Sequence, residues 1–188
     1  WDHVVKLHNG HPLQLWGWGE VKSRHGWIVD RVVVHDGLKT IGGASLLIKK
    51  LPQPFNQMVY VARGPWGKWN DVSREKLETY VKRTYQPVSM MVEPDQTDAF
   101  TWKGWKHSPN RILLARTATM DLRRSLDDLQ SDMSKKTRQY IRKSAGEGIA
   151  VRLAKSHDDI RKCLAIYKAT AKRANFALHK DQYYLDIF

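Results

Sequence analysis

Cysteine is nearly absent from this 188-residue sequence, in which Cys163 is the only one. A single cysteine cannot close an internal disulfide, so the sequence favours a protein of a reducing compartment. Cys163 falls on the apolar stripe of a predicted helix, and nothing around it in the sequence indicates the partner histidine that a catalytic thiol requires. We therefore expect Cys163 to lie in a helix core.

Long apolar segments are also missing. No run approaches the roughly 18 residues that a membrane span requires. Residues 1–12 are polar and rich in histidine, unlike a signal peptide. Together with the cysteine content, these features predict a cytoplasmic protein. The sequence does not begin with Met and ends in a mostly apolar run at 183–188, so we expect a fragment of a longer chain.

Short catalytic signatures are a third absence. The sequence contains no G-x-S-x-G motif, no Walker loop and no G-x-G-x-x-G motif after a predicted strand. His8 and His11 have no third ligand at a recognisable spacing, so no metal site and no cofactor is expected. Composition and spacing therefore do not identify a reaction.

Positive charge is what the sequence has in excess. It contains 32 Lys and Arg against 19 Asp and Glu, a formal net charge of +13. A charge of this size concerns partners rather than fold. It favours ligands that carry phosphate, and it leaves nucleic acid, a nucleotide-linked substrate and an anionic lipid surface open as alternatives.

Hydrophobic periodicity predicts strands and helices in mixed order. Strands are expected at 27–34, 44–48, 57–62, 88–93, 112–115 and 149–153. Helices are expected at about 73–85, with Asp71 or Ser73 as the N-cap, and at about 122–145. A capping-box pattern that begins at Ser156 predicts another helix, whose apolar face runs from Ile160 to Ala171, and a further helix begins near Asp181. The first two strands form a predicted hairpin, because His35-Asp36-Gly37 is a turn signal. This order indicates an α/β architecture, or an α+β one with a mixed sheet. A Trp/Gly/Pro segment at about 100–118 separates two halves.

A basic segment covers residues 134–143 and contains no acidic residue. Lys135, Arg138 and Arg142 share one face of the predicted helix, and Lys143 follows. One interpretation is an ordinary solvated helix face. The other is a surface that contacts phosphates, which the unopposed charge favours because like charges at i,i+4 cost helix stability.

Two further segments are ambiguous. Residues 143–148 (KSAGEG) are similar to the pyrophosphate loop of acetyl-CoA-dependent transferases, but the loop closes a predicted helix instead of opening one, so we interpret it as a helix stop. Trp16 and Trp18 stand between glycines close to Lys22. They are either part of the core or a platform on which nucleobases stack.

Several stretches taken together resemble the Fem family of peptidoglycan aminoacyltransferases. They are LWGWGEVK (15–22), GW (26–27), YVARGP (60–65), EPD (93–95), TMDL (119–122), KTRQYIRKSA (136–145), GI (148–149) and 167–184. No one stretch is specific, but their order and spacing over nearly the whole chain are.

The resemblance implies two tandem acyltransferase domains with a GNAT-like fold. Members of the family are longer than this chain, so residues 1–117 would form the first domain and residues 118–188 the incomplete beginning of the second. The implied reaction is transfer of an amino acid from aminoacyl-tRNA to the stem peptide or cross-bridge of a UDP- or lipid-linked muropeptide. The ester is already activated, so neither ATP nor a metal is needed. A cytoplasmic monomer is expected, and peripheral contact with the inner face of the cell membrane is left open.

The resemblance also implies roles for individual residues. Lys22 and Lys180 match the two basic residues that hold the phosphates of the precursor, although the second is more often Arg in the family. Glu93 matches a cleft carboxylate that precedes proline, where Asp is also found. Tyr184 matches a tyrosine that hydrogen-bonds the substrate. Three of these positions have a structural alternative: Lys22 as a surface lysine, Glu93 as a strand-end cap and Tyr184 as a tyrosine that packs between domains.

The basic segment matches the basic helix of the family, which predicts that Lys135, Arg138, Arg142 and Lys143 face tRNA or other phosphates. The catalytic residues would lie beyond residue 188 and are not assigned. Three other functions remain open. They are acetyl-CoA-dependent N-acetylation, RNA binding without catalysis, and aminoacyl transfer to another acceptor such as a membrane lipid or a protein N-terminus.

Overall fold

The computed structural model describes residues 1–95, 102–114 and 116–188. The chain divides into two units. The first comprises Trp1–Leu113 together with His179–Phe188, and the second comprises Leu114–Leu178. The last ten residues thus pack with the first unit, although they follow the second in sequence. The predicted division into domains 1–117 and 118–188 stays a prediction.

The first unit is built on a five-stranded mixed sheet. Its strands are β1 (Ile28–Asp36), β2 (Lys39–Lys50), β3 (Gln57–Ala62), β4 (Trp66–Gly67) and β5 (Ser89–Glu93). Their order is β1-β2-β3-β5, and the short β4 pairs with β2. The β1–β2 and β2–β3 pairs are antiparallel, whereas β3 and β5 are parallel. The predicted hairpin is confirmed, with Gly37 in its turn at φ +58°. The mixed α/β class is confirmed as well.

Among the described residues of this unit, five helical elements flank the sheet. They are α1 (Asp2–Leu7), a 3-10 turn (Pro12–Gln14), α2 (Trp16–Arg24), α3 (Asp71–Tyr85) and α7 (Asp181–Ile187). One sheet face packs on α3 through Leu77 and Val81, which join Leu46, Ile48 and Val59 in the larger buried cluster. The opposite face carries Leu47, Tyr60 and Ala62.

The opposite face is covered by the amino-terminal segment. Leu13 and Trp27 pack on its buried residues. Gln14 is fully buried and joins this segment to the sheet: its amide donates to the carbonyl of Ala62 at 2.6 Å and accepts from the N–H of Ser45 at 2.8 Å. Because buried main-chain groups must be paired, Gln14 fixes the start of α2 relative to two strands.

The helix predicted at 73–85 begins two residues earlier. Asn70, rather than the predicted Asp71 or Ser73, is the N-cap, and its side chain accepts from the N–H of Ser73 at 2.9 Å. The hydroxyl of Ser73 in turn accepts from the N–H of Asn70, which completes a capping box. Two orphan N–H groups at the helix start are satisfied in this way.

Where the structure describes the second unit, it shows three helices: α4 (Leu126–Asp132), α5 (Lys135–Gly146) and α6 (His157–Ala174). The single helix predicted for 122–145 is therefore wrong. Met133 is extended, and Ser134 caps a new helix by accepting from the N–H of Thr137 at 3.1 Å. The periodicity continues across the break, so the apolar pattern alone did not reveal it. The predicted cap of α6 at Ser156 is confirmed.

Two predicted strands are also wrong. Residues 112–114 and 149–153 belong to no strand in the described part of the chain, and Ala115 lies outside the described residues. The N–H groups of Ile112 and Leu113 are bonded to a carboxylate instead of a ladder. Val151 and Leu153 are 93% and 83% exposed. Strand propensity does not produce a strand where no partner strand lies alongside.

The helices also bear on two earlier predictions, the burial of Cys163 and the lack of a membrane-spanning segment. Cys163 lies on α6 but is exposed, so the predicted place in a helix core is wrong. Of the helices in the described ranges, none combines the length and apolar character that crossing a bilayer requires.

Candidate functional site

The candidate site lies in the first unit, where α2 and α7 meet. Lys22 projects from α2, and its Nζ donates to the hydroxyl of Tyr183 on α7 at 3.2 Å. The same Nζ lies 4.7 Å from the ring centroid of Trp18, 5.2 Å from that of Tyr183 and 5.9 Å from that of Trp27. Three aromatic rings therefore surround one ammonium group, an arrangement that stabilises a cation through the ring quadrupoles.

Burial destabilises the charged form of Lys22. Lys22 is half-buried, and burial lowers the pKa of its ammonium below the ordinary lysine value. A second ammonium is close by, because Lys49 donates to the carbonyl of Gly26 at 2.9 Å and lies 5.4 Å from the ring centroid of Trp27. The ammonium groups of Lys22 and Lys49 thus both lie near the indole ring of Trp27, a setting suited to an anionic ligand.

Helix α7 is held on α2 by polar contacts. The carboxylate of Asp186 lies 2.8 Å from Nε2 of His25 and 3.7 Å from Nη1 of Arg24. Within α7, the same carboxylate accepts from the side-chain amide of Gln182 at 2.8 Å, which orients it toward α2. These contacts, first the hydrogen bond from Gln182 and then that from His25, lower the pKa of Asp186. The ring of Tyr183 completes the contact with His25, at a centroid distance of 5.0 Å.

Two of the sequence-predicted site residues belong to this helix. Lys180 is exposed at its N-cap position, and the hydroxyl of Tyr184 accepts from the N–H of His179 at 3.3 Å. The structure thus brings the predicted residues Lys22, Lys180 and Tyr184 onto one pair of packed helices. The residue that contacts Lys22 is Tyr183, which the sequence reasoning did not single out. The paired tyrosines were visible in the sequence, but the choice between them requires the docked helix.

Glu93 ends β5 and is fully engaged. One carboxylate oxygen accepts from the hydroxyl of Tyr60, and the other accepts from the N–H groups of Ile112 at 2.8 Å and Leu113 at 3.3 Å. Burial, together with the hydrogen bond to Glu93, raises the pKa of Tyr60. Glu93 therefore holds the segment after residue 110 against the sheet edge, as its strand-end alternative requires. Tyr60, the partner of Glu93, lies on the sheet face against which Trp27 packs, and Trp27 is one of the rings near Lys22. Glu93 and Lys22 therefore lie on the same side of the sheet.

The basic residues of α5 lie in the second unit and differ from one another. Arg138 turns its guanidinium onto the carboxyl end of α4, where Nη1 donates to the carbonyls of Ser131 at 2.9 Å and Met133 at 2.5 Å. Lys143 pairs with Glu147 at 3.6 Å. Lys135 and Arg142 are exposed. Two of the four predicted phosphate-facing residues thus have structural partners within their own unit.

The loop at 143–148 is a helix stop, as predicted. Helix α5 ends at Gly146, and Gly148 adopts φ +71°. The N–H of Ile149 returns to the carbonyl of Ser144 at 3.3 Å, which satisfies one of the last helical carbonyls. No helix begins at this loop, so its N–H groups do not form the anion site of an acetyl-CoA-dependent transferase.

No group of three or more His, Cys, Asp or Glu side chains suited to a metal ion occurs in residues 1–95, 102–114 and 116–188. What the described geometry defines is a mixed α/β protein with a cationic, aromatic-lined site between two helices.

Comparison with known proteins identifies the family. The model of the FemAB family matches residues 2–98 and 96–188, nearly the whole sequence. The chain belongs to the FemAB family.

The chain is similar over its full length to named relatives. It is 27% identical over 208 residues to a lipid II:glycine glycyltransferase of Staphylococcus haemolyticus, covering 100% of this chain and 49% of that protein. It is 24% identical over 209 residues to the protein of the same name from Staphylococcus aureus, again with 100% and 49% coverage. The chain thus spans about half the length of the curated relatives it matches.

A solved structure shows the same fold. The crystal structure of FemX superposes with a TM-score of 0.80 at 24% identity, covering 99% of this chain and 51% of that chain. The predicted family resemblance is confirmed by these comparisons.

Proposed function

We propose that this chain is part of an aminoacyltransferase that adds an amino acid to a peptidoglycan precursor. The single observation that carries the proposal is the ammonium of Lys22, held in an aromatic surround by the contact of α2 with α7. In a FemAB family chain this is the position expected to hold phosphate. Relatives named lipid II:glycine glycyltransferases support a lipid-linked muropeptide as the acceptor.

The proposed reaction is an aminolysis. The amine of the stem peptide or cross-bridge attacks the ester carbonyl of aminoacyl-tRNA, a C–N bond forms, and the ester C–O bond breaks. The amine gives up a proton, and the leaving tRNA hydroxyl takes one up, so the step balances without a further reactant. The protein must align the two substrates and stabilise the oxyanion. Alignment is the part to which the described residues contribute.

The residues divide between the two substrates. We assign the precursor phosphates to Lys22 and Lys180, with Lys49 as an additional cation beside Trp27. Tyr184 contacts the precursor from the same helix as Lys180. Glu93 positions the segment at 112–113, which forms part of the same sheet face through Leu113.

The tRNA is assigned to the second unit. On α5, Lys135 and Arg142 are the exposed cations that meet its phosphates, since Arg138 and Lys143 already have partners. A protein that acts on a lipid-linked precursor and on aminoacyl-tRNA works in the cytoplasm, at the inner face of the cell membrane. The excess of positive charge suits both that surface and the tRNA.

Mass spectrometry tests the proposal. A protein of the relatives' length that contains this chain is incubated with a mixture of charged tRNAs and with lipid-linked or UDP-linked muropentapeptide. We expect an added amino-acid mass on the precursor that disappears when the tRNA is uncharged. Consumption of charged tRNA without a mass gain would indicate another acceptor. Binding of tRNA without consumption would indicate an RNA-binding module and would contradict the proposal.

A further inference from the structure

The turn that ends α2 is bonded to both lysines whose ammonium groups lie near Trp27. His25 is the C-cap of α2, and its N–H donates to the carbonyl of Lys22 at 3.0 Å. The carbonyls of His25 and Gly26 accept from Nζ of Lys49, at 3.5 Å and 2.9 Å. The main chain of this turn therefore fixes the ammonium of Lys49 relative to the helix that carries Lys22.

Gly26 allows Lys49 to come this close to the turn. It has φ +77°, in the left-handed region that favours glycine, and a Cβ on it would lie 3.1 Å from Nζ of Lys49. The approach of the ammonium to the two carbonyls thus depends on a bare main chain at Gly26. Of the two turn residues, His25 is the one whose side chain can act on the site.

The side chain of His25 contacts α7 at two residues. Its Nε2 lies 2.8 Å from Oδ2 of Asp186, and its ring meets the ring of Tyr183 edge-on, at 5.0 Å between centroids and 70° between planes. An ionised carboxylate can only accept, so Nε2 of His25 is the donor. Tyr183 is in turn the acceptor for the ammonium of Lys22. One imidazole therefore holds the residue that orients this ammonium.

The other ion pair between these segments is weaker. Nη1 of Arg24 lies 3.7 Å from Asp186, and the Arg24 side chain is 63% exposed. An ion pair of an exposed side chain contributes little. The side chains of His25 and Asp186 are only 25% and 12% exposed, and their contact has the length of a charge-assisted hydrogen bond. Loss of the His25 donor would leave a largely buried carboxylate with a poorer partner.

We propose that His25 is a positioning residue of the phosphate site for the precursor. The proposal rests on the proposed function. His25 holds Tyr183 against the ammonium of Lys22 by its side chain, and it holds Lys49 by its carbonyl. It acts on the precursor through these residues and not by touching the phosphate. Its removal therefore affects binding of the precursor, while the chemical step and the binding of tRNA stay as they are.

The test uses a protein of the relatives' length that contains this chain, with three substitutions. His25→Phe retains a ring beside Tyr183 and removes the donor to Asp186. His25→Gln is the conservative variant, because an amide nitrogen takes the place of Nε2. His3→Phe is the matched control, at an exposed histidine of α1 in the same unit. Thermal unfolding verifies that each variant is folded.

The first measurement is hydrogen exchange without any substrate, so it does not depend on the reaction. We expect the amides of α7 to exchange about tenfold faster in His25→Phe, and those of α3 to exchange as in the wild type. His25→Gln and His3→Phe should retain the protection of α7. Unchanged exchange of α7 in His25→Phe would overturn the proposal.

The second measurement is the transfer reaction with UDP-linked or lipid-linked muropentapeptide. For His25→Phe we expect the KM for the precursor to rise about tenfold, with kcat and the KM for aminoacyl-tRNA within about twofold of the wild type. His25→Gln should stay within about threefold and His3→Phe within about twofold of the wild-type KM.

The outcomes separate this proposal from the proposed function. A precursor KM that rises with Lys22→Met but not with His25→Phe would overturn the role of His25 and leave the proposed function standing. A fall in kcat alone, or a His25→Gln variant as impaired as His25→Phe, would also overturn it. A folded wild type that transfers no amino acid would contradict the proposed function and, with it, the role of His25.

Discussion

The ammonium group of Lys22 is half-buried among aromatic rings, and its charge is subject to both destabilising and stabilising interactions. Burial lowers the pKa of the group, which means that the charged form loses hydration. Cation–π interactions with the three nearby rings and a hydrogen bond to the hydroxyl of Tyr183 offset part of the lost hydration energy. Because the pKa of the group is nevertheless lowered, the precursor phosphate that we propose as its ligand would stabilise the charge further.

Replacement of Lys22 by methionine separates these roles. We expect Lys22→Met to change the free energy of unfolding by less than about 1 kcal/mol, since the apolar stem still packs on Trp18 and Trp27. Affinity for UDP-linked muropentapeptide should fall about tenfold, measured by calorimetry. Lys50→Met, at an exposed position on β2, is the control and should retain affinity. Unchanged affinity in Lys22→Met would mean that Lys22 is a surface lysine that does not bind the precursor.

Tyr183 and Tyr184 are neighbours with different partners, so their hydroxyls should have different effects. Tyr183→Phe removes the acceptor of the Lys22 ammonium, and we expect the pKa of Lys22 to fall further. Tyr184→Phe should leave that pKa unchanged, because its hydroxyl accepts from His179. Titration of the labelled lysine by NMR measures both. Equal effects of the two substitutions would contradict the assignment of Tyr183 to Lys22.

At the scale of elements, the docking of α7 on α2 completes the candidate site. The two helices are far apart in sequence, and the polar contact between them joins Asp186 to His25 and Arg24. Lys22, Tyr183 and Tyr184 come together only when this contact forms. Changes at Asp186 should therefore act on the site through the position of α7.

Asp186 gives this docking a dependence on pH. Its pKa is lowered in the folded state, so its contribution to stability is present above the ordinary Asp value and is lost as the pH falls through the lowered value. We expect the wild type to be more stable than Asp186→Asn at neutral pH. The difference should shrink below about pH 4. Urea unfolding of both proteins at several pH values measures it, and a difference that does not depend on pH would contradict the carboxylate's role.

The partners of the basic residues on α5 lead to a second prediction, which separates a structural arginine from a tRNA-binding one. Arg138→Ala should weaken the junction with α4 and lower the melting temperature, since three α4 and linker carbonyls lose a shared donor. Arg142→Ala should retain stability and weaken tRNA binding by several-fold, because this exposed side chain is assigned to phosphate. Calorimetry and filter binding measure the two effects. Equal loss of tRNA affinity in both, without loss of stability in Arg138→Ala, would contradict the division.

The sequence predicted those elements whose signals are local. The β1–β2 hairpin follows from β-branched runs around Gly37, and α6 follows from Ser156 and its apolar stripe. The break at Ser134 was missed because Leu129, Met133 and Tyr140 continue the helical period across it. The break occurs where the Ser134 side chain caps a new helix. The sequence alone does not show whether a serine inside a periodic run acts as a cap or lies within a continuous helix.

The site was predictable only in part. Lys22, Lys180 and Tyr184 were predicted as site residues through resemblance, and the structure places them on two packed helices. Tyr183 was missed because its contact with Lys22 spans 161 positions in the sequence. The failed strand at 149–153 has a related cause, since pairing depends on a neighbour that the local pattern does not contain.

At the scale of the whole molecule, the chain combines a first unit that carries the Lys22 site with a second unit that carries an exposed basic helix. Each unit suits one of the two anionic substrates of the proposed reaction. The proposed reaction would give a reason for the strong excess of positive charge, since both of its substrates are anionic.

The most direct test of the central claim is transfer of a radiolabelled amino acid from tRNA to lipid-linked muropentapeptide. It compares a protein of the relatives' length that contains this chain with its Lys22→Met variant. The account predicts label on the precursor with the wild type, and for the variant a KM for the precursor raised about tenfold. Label that never leaves the tRNA for the precursor, in the presence of folded wild-type protein, would contradict it.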